Sequence, residues 1–140
     1  MFDSSSVRIL LVESEPVLAE LASFRLELLG YRIDMVGTGS QAIEKVRTDP
    51  PDLLIVDSTL RDGDGLEWLA RLRTEFKAET LPVMVFSLDP SLETVERAFY
   101  AGAQDYLITP FDPVTLENKI VQLASVICTA SPRRSKRCDP

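Results

Sequence analysis

Five times along this chain a short apolar run gives way to a segment whose apolar residues recur at helical spacing, and that alternation admits few folds. The runs fall at residues 7–12, 31–36, 53–56, 83–86 and 106–108. Each is short and β-prone, so each reads as a strand. Four are nearly continuous in apolar character, as strands buried on both faces of a parallel sheet are; the second alternates, as an edge strand would. The intervening segments carry Val17, Leu18, Leu21, Phe24, Leu28 and Leu29 after Pro16, then Ala42, Ile43 and Val46, then Leu66, Leu69 and Leu72. Leu92, Val95, Ala98 and Phe99 follow, and last come residues 114–127. This spacing predicts helices whose apolar stripes cover the sheet. The punctuation agrees: Pro16 suits a first helical turn, Gly30 and Gly102 suit helix ends, and Pro50-Pro51 stops the second helix. Strand then helix, five times over, is an α/β fold with a parallel sheet covered on both faces.

What the chain lacks narrows its chemistry. It contains no histidine, which excludes a Ser-His-Asp or Cys-His nucleophile and any histidine-ligated metal within these residues. Cys128 and Cys138 have no C-x-x-C spacing, so neither a disulfide framework nor a zinc site is expected. No apolar run approaches the ~18 residues of a membrane span, and the first residues lack the basic start and apolar stretch of a secretory signal. A cytoplasmic location is the resulting expectation. At 140 residues, 45% hydrophobic and 26% charged, the chain is expected to form one domain, over residues 1–128. The formal net charge is −7, yet the end, SPRRSKRCDP, is basic. Residues 129–140 read as a flexible tail or the start of a linker, and the acidic body argues against direct binding of nucleic acid.

In an open parallel sheet, ligands bind outside the carboxyl ends of the strands. Collected there are Glu13, Ser14 and Glu15 after the first run, Asp57 after the third, Ser87 after the fourth and Thr109-Pro110 after the fifth. Asp57 directly follows four apolar residues and precedes the polar loop STLRDGDG. A carboxylate so placed needs a cation, a metal or hydrogen bonds to offset its desolvation. Glu13 brings a second acid to the same edge, and two carboxylates with waters suit a hard divalent cation such as Mg²⁺. Ser87 adds a hydroxyl for a phosphoryl oxygen, so the group suits phosphoryl transfer to a carboxylate. Asp64, before LEWLARL, reads as a helix N-cap. A different chemistry competes. Gly37-Thr-Gly39-Ser-Gln-Ala42 fits G-x-G-x-x-A between a strand and a helix, and Asp57 lies where a dinucleotide-binding fold keeps its ribose acid. Against it, a complete strand–helix unit precedes the motif; the plain reading is a Gly-rich loop before a short helix.

The stretches ILLVESEP, PDLLIVDSTLRDGDGLEWL, LPVMVFS and AGAQDYLITPFD resemble the receiver domain of the two-component response-regulator family, over about residues 7–128. The resemblance implies a flavodoxin-like (βα)5 fold with strand order 2-1-3-4-5. It implies Asp57 as acceptor of a phosphoryl group, delivered with Mg²⁺ by a histidine kinase or phosphotransfer protein, and no enzyme activity beyond that acceptance. It sets Glu13, Asp57 and the Thr59 backbone carbonyl around the metal, Ser87 and Tyr106 in the switch, and Pro110 after a cis peptide. Two positions depart from the family. Ser14 stands where it has a metal-binding Asp, and Thr109 where it has a lysine that contacts the phosphoryl oxygens. More mildly, Leu88 replaces a small residue, and Arg61 sits where proline is common. These departures predict weakly held Mg²⁺, weak or absent phosphorylation, and signalling through protein contacts on the face of helix four, strand five and helix five. Self-association as a homodimer is compatible with this reading. The retention of Asp57, Ser87 and Tyr106 predicts instead a phosphorylatable receiver under kinase control.

Overall fold

The structure, a computed structural model, describes residues 7–130, with side chains through residue 125. The basic segment 131–140 and the Cys128 side chain lie outside the described residues. Five parallel strands form the sheet: β1 Arg8–Val12, β2 Arg32–Val36, β3 Leu53–Asp57, β4 Val83–Ser87 and β5 Asp105–Ile108. Their order is β2-β1-β3-β4-β5, as expected. Between and after them run α1 Pro16–Leu28, α2 Gly39–Thr48, α3 Gly65–Leu72, α4 Leu92–Ala101 and α5 Pro113–Ala130. No helix among the described residues is long and apolar enough to cross a membrane.

Side chains alternate along each strand, and here both faces are filled. Leu11, Ile55, Phe86 and Leu107 share one core with Ala22 and Leu26 of α1 and Leu116 and Ile120 of α5. Leu10, Val12, Leu54, Val56, Val83 and Val85 share the other with α2, α3 and α4, through Val46, Leu69 and Ala98. That double burial is why the strands read as continuous apolar runs. β2 lies at the edge and exposes Arg32, Asp34 and Met35.

α1 departs from the stripe expected of it. Its buried face is Ala19, Ala22, Ser23 and Leu26, whereas Val17 is 72% exposed, Phe24 59% and Leu28 64%. Leu21 and Leu29 are exposed as well, and Leu18 alone of the expected set packs against the core. Small side chains let the helix close on the sheet, so they take the inner face. Both sets obey helical spacing, and a helix that is apolar nearly all round gives periodicity nothing to choose between. In α4 Ala98 is buried and Val95 partly so, but Leu92 and Phe99 are exposed. The loop after β3 holds an unanticipated antiparallel ribbon, Thr59–Leu60 against Gly63–Asp64. Gly30 and Gly102 take left-handed φ values of 97° and 115° at the ends of α1 and α4, which glycine adopts at no steric cost.

Candidate functional site

The sheet's ladder runs one rung past the strand ends. The Glu13 amide donates to the Val36 carbonyl at 3.0 Å, Ser58 to Phe86 at 2.8 Å and Thr109 to Ser87 at 2.8 Å. Glu13, Asp57, Ser87 and Thr109 are therefore carried to one edge by backbone pairing, at the place the topology predicts for a ligand.

Glu13 and Asp57 face each other there. Glu13 is buried, and that burial, with the Asp57 carboxyl beside it, pushes its carboxyl from the ordinary 4.5 up to about 8. Glu13 thus holds its proton at neutral pH; its Oε2 accepts the Glu15 amide at 3.1 Å, and its buried Oε1 has no hydrogen-bond partner among the described residues. Asp57 is half-buried, and its Oδ1 accepts the Thr59 amide at 2.8 Å. Thr109 is buried with its hydroxyl unpartnered, and the Thr109–Pro110 peptide is cis. No ammonium group stands at position 109.

Ser14 points elsewhere. Its hydroxyl donates to the Gly37 carbonyl and accepts the Arg61 amide at 2.7 Å, while Arg61 Nη2 reaches the Ser14 carbonyl at 3.1 Å. The next residue, Asp62, accepts the Gly39 amide at 2.8 Å, and the Ser40 amide and hydroxyl at 3.1 Å each. Those bonds hold its carboxyl below the usual carboxylate range. The N-terminus of α2 is thereby filled by the chain's own carboxylate. Gly39 has its own reason to be glycine: a Cβ there would lie 2.7 Å from Trp68 Cδ1, and Trp68 Nε1 donates to the Gly39 carbonyl at 2.9 Å. The G-x-G-x-x-A stretch is accounted for by capping and packing, and the Asp62 carboxylate occupies the Gly39 and Ser40 amides that a pyrophosphate would need.

On the other side of Asp57 a chain of hydroxyls leads outward. Ser58 Oγ donates to Ser87 Oγ at 2.8 Å, and Ser87 Oγ accepts the Asp89 amide at 3.1 Å. Tyr106 is buried, and its hydroxyl donates to the Asp89 carbonyl. A cavity of about 560 Å³ opens over Asp57 on this side, lined among others by Ser87, Leu88, Thr94, Arg61 and Arg97. Arg97 pairs with Asp64, which also caps α3 by accepting the Leu66 and Glu67 amides. Burial opposes ionisation of Asp64, but Arg97 and those amides outweigh it and hold its carboxyl low.

Does this edge suit a divalent cation? Mg²⁺ wants an octahedral set of oxygens, usually one or two carboxylates with waters. Among the described residues Glu13 and Asp57 are the carboxylates that converge, and a cation would have to displace the proton that Glu13 holds. The Ser14 hydroxyl is spent on Gly37 and Arg61. Among the described residues no group of three or more His, Cys, Asp or Glu forms a metal site. The donor set is thin for the ion: two carboxylates, one of which must first lose a proton, and no third acid.

Sequence reasoning reached Glu13, Asp57, Ser87, Tyr106 and Thr109, and the fold brings them to one edge. Ser58, Asp62, Asp89 and Arg97 were not singled out. Only Ser58, adjacent to Asp57, carried a local signal; the others matter through contacts that no periodicity encodes.

Residues 9–121 match the family described as the response regulator receiver domain. The probable transcriptional regulatory protein TcrX of Mycobacterium tuberculosis is 34% identical over 125 residues, which is 89% of this chain and 51% of that protein. TrcR of the same organism, a transcriptional regulatory protein, is 33% identical over 129 residues, 92% of this chain and 48% of its own length. The chain thus spans about half the length of these curated relatives. Among solved structures, a CheY-like response regulator receiver domain protein from Methanospirillum hungatei superposes with a TM-score of 0.77 at 25% identity, covering 86% of this chain and 95% of that one.

Proposed function

The chain belongs to the response regulator receiver domain family, and from that premise we propose that Asp57 is its phosphoryl-acceptor position, working weakly or not at all with Mg²⁺. It is a receiver domain of two-component signalling, a class of signalling domain and not of conventional enzyme. Receiver domains generally bind Mg²⁺ at the phosphorylation site; here the donor set falls short of that ion, and the chain's own residues carry the step.

The observation that supports this reading is the hydroxyl chain from the Asp57 loop to Tyr106. In the reaction, a carboxylate oxygen of Asp57 attacks phosphorus, the bond from phosphorus to the donor's imidazole nitrogen breaks, and the imidazole leaves with a proton. Thr59 holds Oδ1, Ser87 and Thr109 offer hydroxyls, and Arg61 and Arg97 are the cations lining the cavity. Losing a preorganised donor of developing charge costs ~10²–10³ in rate, so an absent lysine alone makes the reaction slow. A histidine kinase or phosphotransfer protein is the upstream partner, and a downstream protein takes the α4, β5 and α5 face, where Leu92, Phe99 and Ile108 are exposed.

Intact mass after incubation with a small phosphodonor, with and without Mg²⁺, tests the proposal beside Asp57→Ala. One phosphoryl group added slowly, only in the parent and little affected by Mg²⁺, is expected. Fast, strictly Mg²⁺-dependent addition would favour the fully phosphorylatable receiver that the retained Asp57, Ser87 and Tyr106 support. Addition that persists in Asp57→Ala would sink the assignment.

A further inference from the structure

We infer that Arg61, bonded through Ser14 to Gly37, is a built-in substitute for a divalent cation at this edge. It ties the loop after β3 to the loops after β1 and β2, and it closes the place of the second acid to metal. The inference rests on reading Asp57 as the acceptor position only to say where the ion would otherwise sit.

Three observations carry it. First, both links run between the same two residues: the Arg61 amide to Ser14 Oγ at 2.7 Å, and Arg61 Nη2 to the Ser14 carbonyl at 3.1 Å. A proline at 61 would offer neither; the amide link asks only for a residue other than proline, and the guanidinium link is arginine's own. Second, the Ser14 hydroxyl passes the connection on by donating to the Gly37 carbonyl. A Cβ on Gly37 would lie 3.6 Å from Arg61 Nη1, so the guanidinium packs over that glycine. Third, Asp62 continues the seam by gripping Gly39 and Ser40 at the start of α2.

A Mg²⁺ ion between Glu13 and Asp57 would join the first and third loops through oxygen ligands. Arg61 joins the same two through hydrogen bonds and, through Ser14, adds the second. The clamp also sets a condition on reversal. An Asp placed at 14 would meet a guanidinium able to pair with it by two parallel hydrogen bonds, so the carboxylate would be taken before any metal reached it. Ser14 and Arg61 are one unit.

The test is melting temperature with and without millimolar Mg²⁺ at matched ionic strength, on the parent, Arg61→Ala, Ser14→Asp and the Ser14→Asp/Arg61→Ala double variant. Expected are no Mg²⁺-dependent rise in the parent, a small metal-independent drop in Arg61→Ala, which keeps the amide link to Ser14 Oγ, little response to Mg²⁺ in Ser14→Asp, and a clear Mg²⁺-dependent rise in the double variant. A Mg²⁺-dependent rise in the parent that Glu13→Gln abolishes would overturn the inference, with no need for the double variant to fold. So would a Ser14→Asp response equal to that of the double variant. Neither readout depends on phosphorylation, so a failed acceptor assignment at Asp57 shows in the mass experiment, and a failed clamp shows in the melting curves.

Discussion

Burial and the neighbouring Asp57 lift the Glu13 carboxyl from 4.5 to about 8, so the folded protein holds a proton that the unfolded chain releases at lower pH. Stability from this group is full below about 4.5, drains as pH rises toward about 8, and is gone once Glu13 is charged in both states. Asp62 and Asp89 act in the opposite direction. Hydrogen bonds from the Gly39 amide to Asp62, and from Thr94 to Asp89, hold their carboxyls low, so their stabilisation is lost only as pH falls in acid. Glu13 should therefore set the slope between weak acid and weak alkali. The expected result is a melting temperature that declines across that window in the parent and stays nearly flat in Glu13→Gln. Asp57→Asn should keep the fold and gain most on the parent at the alkaline end, where it removes the repulsion between two buried-edge carboxylates. A parent curve that rises through the window would contradict the buried, protonated Glu13. Legibility at this scale was uneven. Glu13 and Asp57 announced themselves as acids ending apolar runs, but a protonated pair depends on their mutual distance, which only the register of β1 and β3 supplies.

Among the elements, α1 tests what apolar spacing can and cannot say. Leu26 is fully buried and Phe24 is 59% exposed, although the two differ by only two positions along one helix. Truncating a buried leucine costs about 2–5 kcal/mol, whereas changes on an exposed face usually stay within ±0.5 kcal/mol. Leu26→Ala should thus lower the urea midpoint sharply and Phe24→Ser should barely move it. Equal losses from the two would put the expected stripe back in the core. The strands were legible because their burial is unambiguous: a run such as LLIV, covered on both faces, has no polar phase to confuse. The helices were legible where one face is polar, as in α3, whose Leu66, Leu69 and Leu72 are all buried. Where both faces are apolar, as in α1, spacing does not select the inner one. Nor does any residue pattern reveal that Gly65 is required for closeness, since a Cβ there would collide with the Asp57 carbonyl. The turn that presents Asp57 is thereby packed directly against the start of α3.

For the molecule as a whole, parallel strands deliver their carboxyl ends together, and the loops after them divide the edge into a tied half and an open half. Ser14, Gly37, Arg61 and Asp62 tie the loops after β1, β2 and β3 to one another. The open half, over β4 and α4, holds the cavity above Asp57, and Asp89 links two side chains there. Its amide donates to Ser87 and its carbonyl accepts from Tyr106. A change at the Asp57 edge that moves Ser87 must therefore move the start of the α4 loop, and Tyr106 on β5 must follow or lose its partner. This shared dependence makes a quantitative claim. Groups that meet at one partner are not additive, and their coupling typically amounts to 0.5–3 kcal/mol, roughly, where distant sites add. Ser87→Ala and Tyr106→Phe, each small and neither creating a new charge, should show such coupling in a double-mutant cycle of denaturant unfolding, and both should speed amide exchange at Asp89. Ser87→Ala paired with Phe24→Ser, which shares no contact with it, is the control that should add. Additivity in the first pair would mean that the open half of the edge is a set of independent hydrogen bonds instead of a linkage from the Asp57 loop to Tyr106.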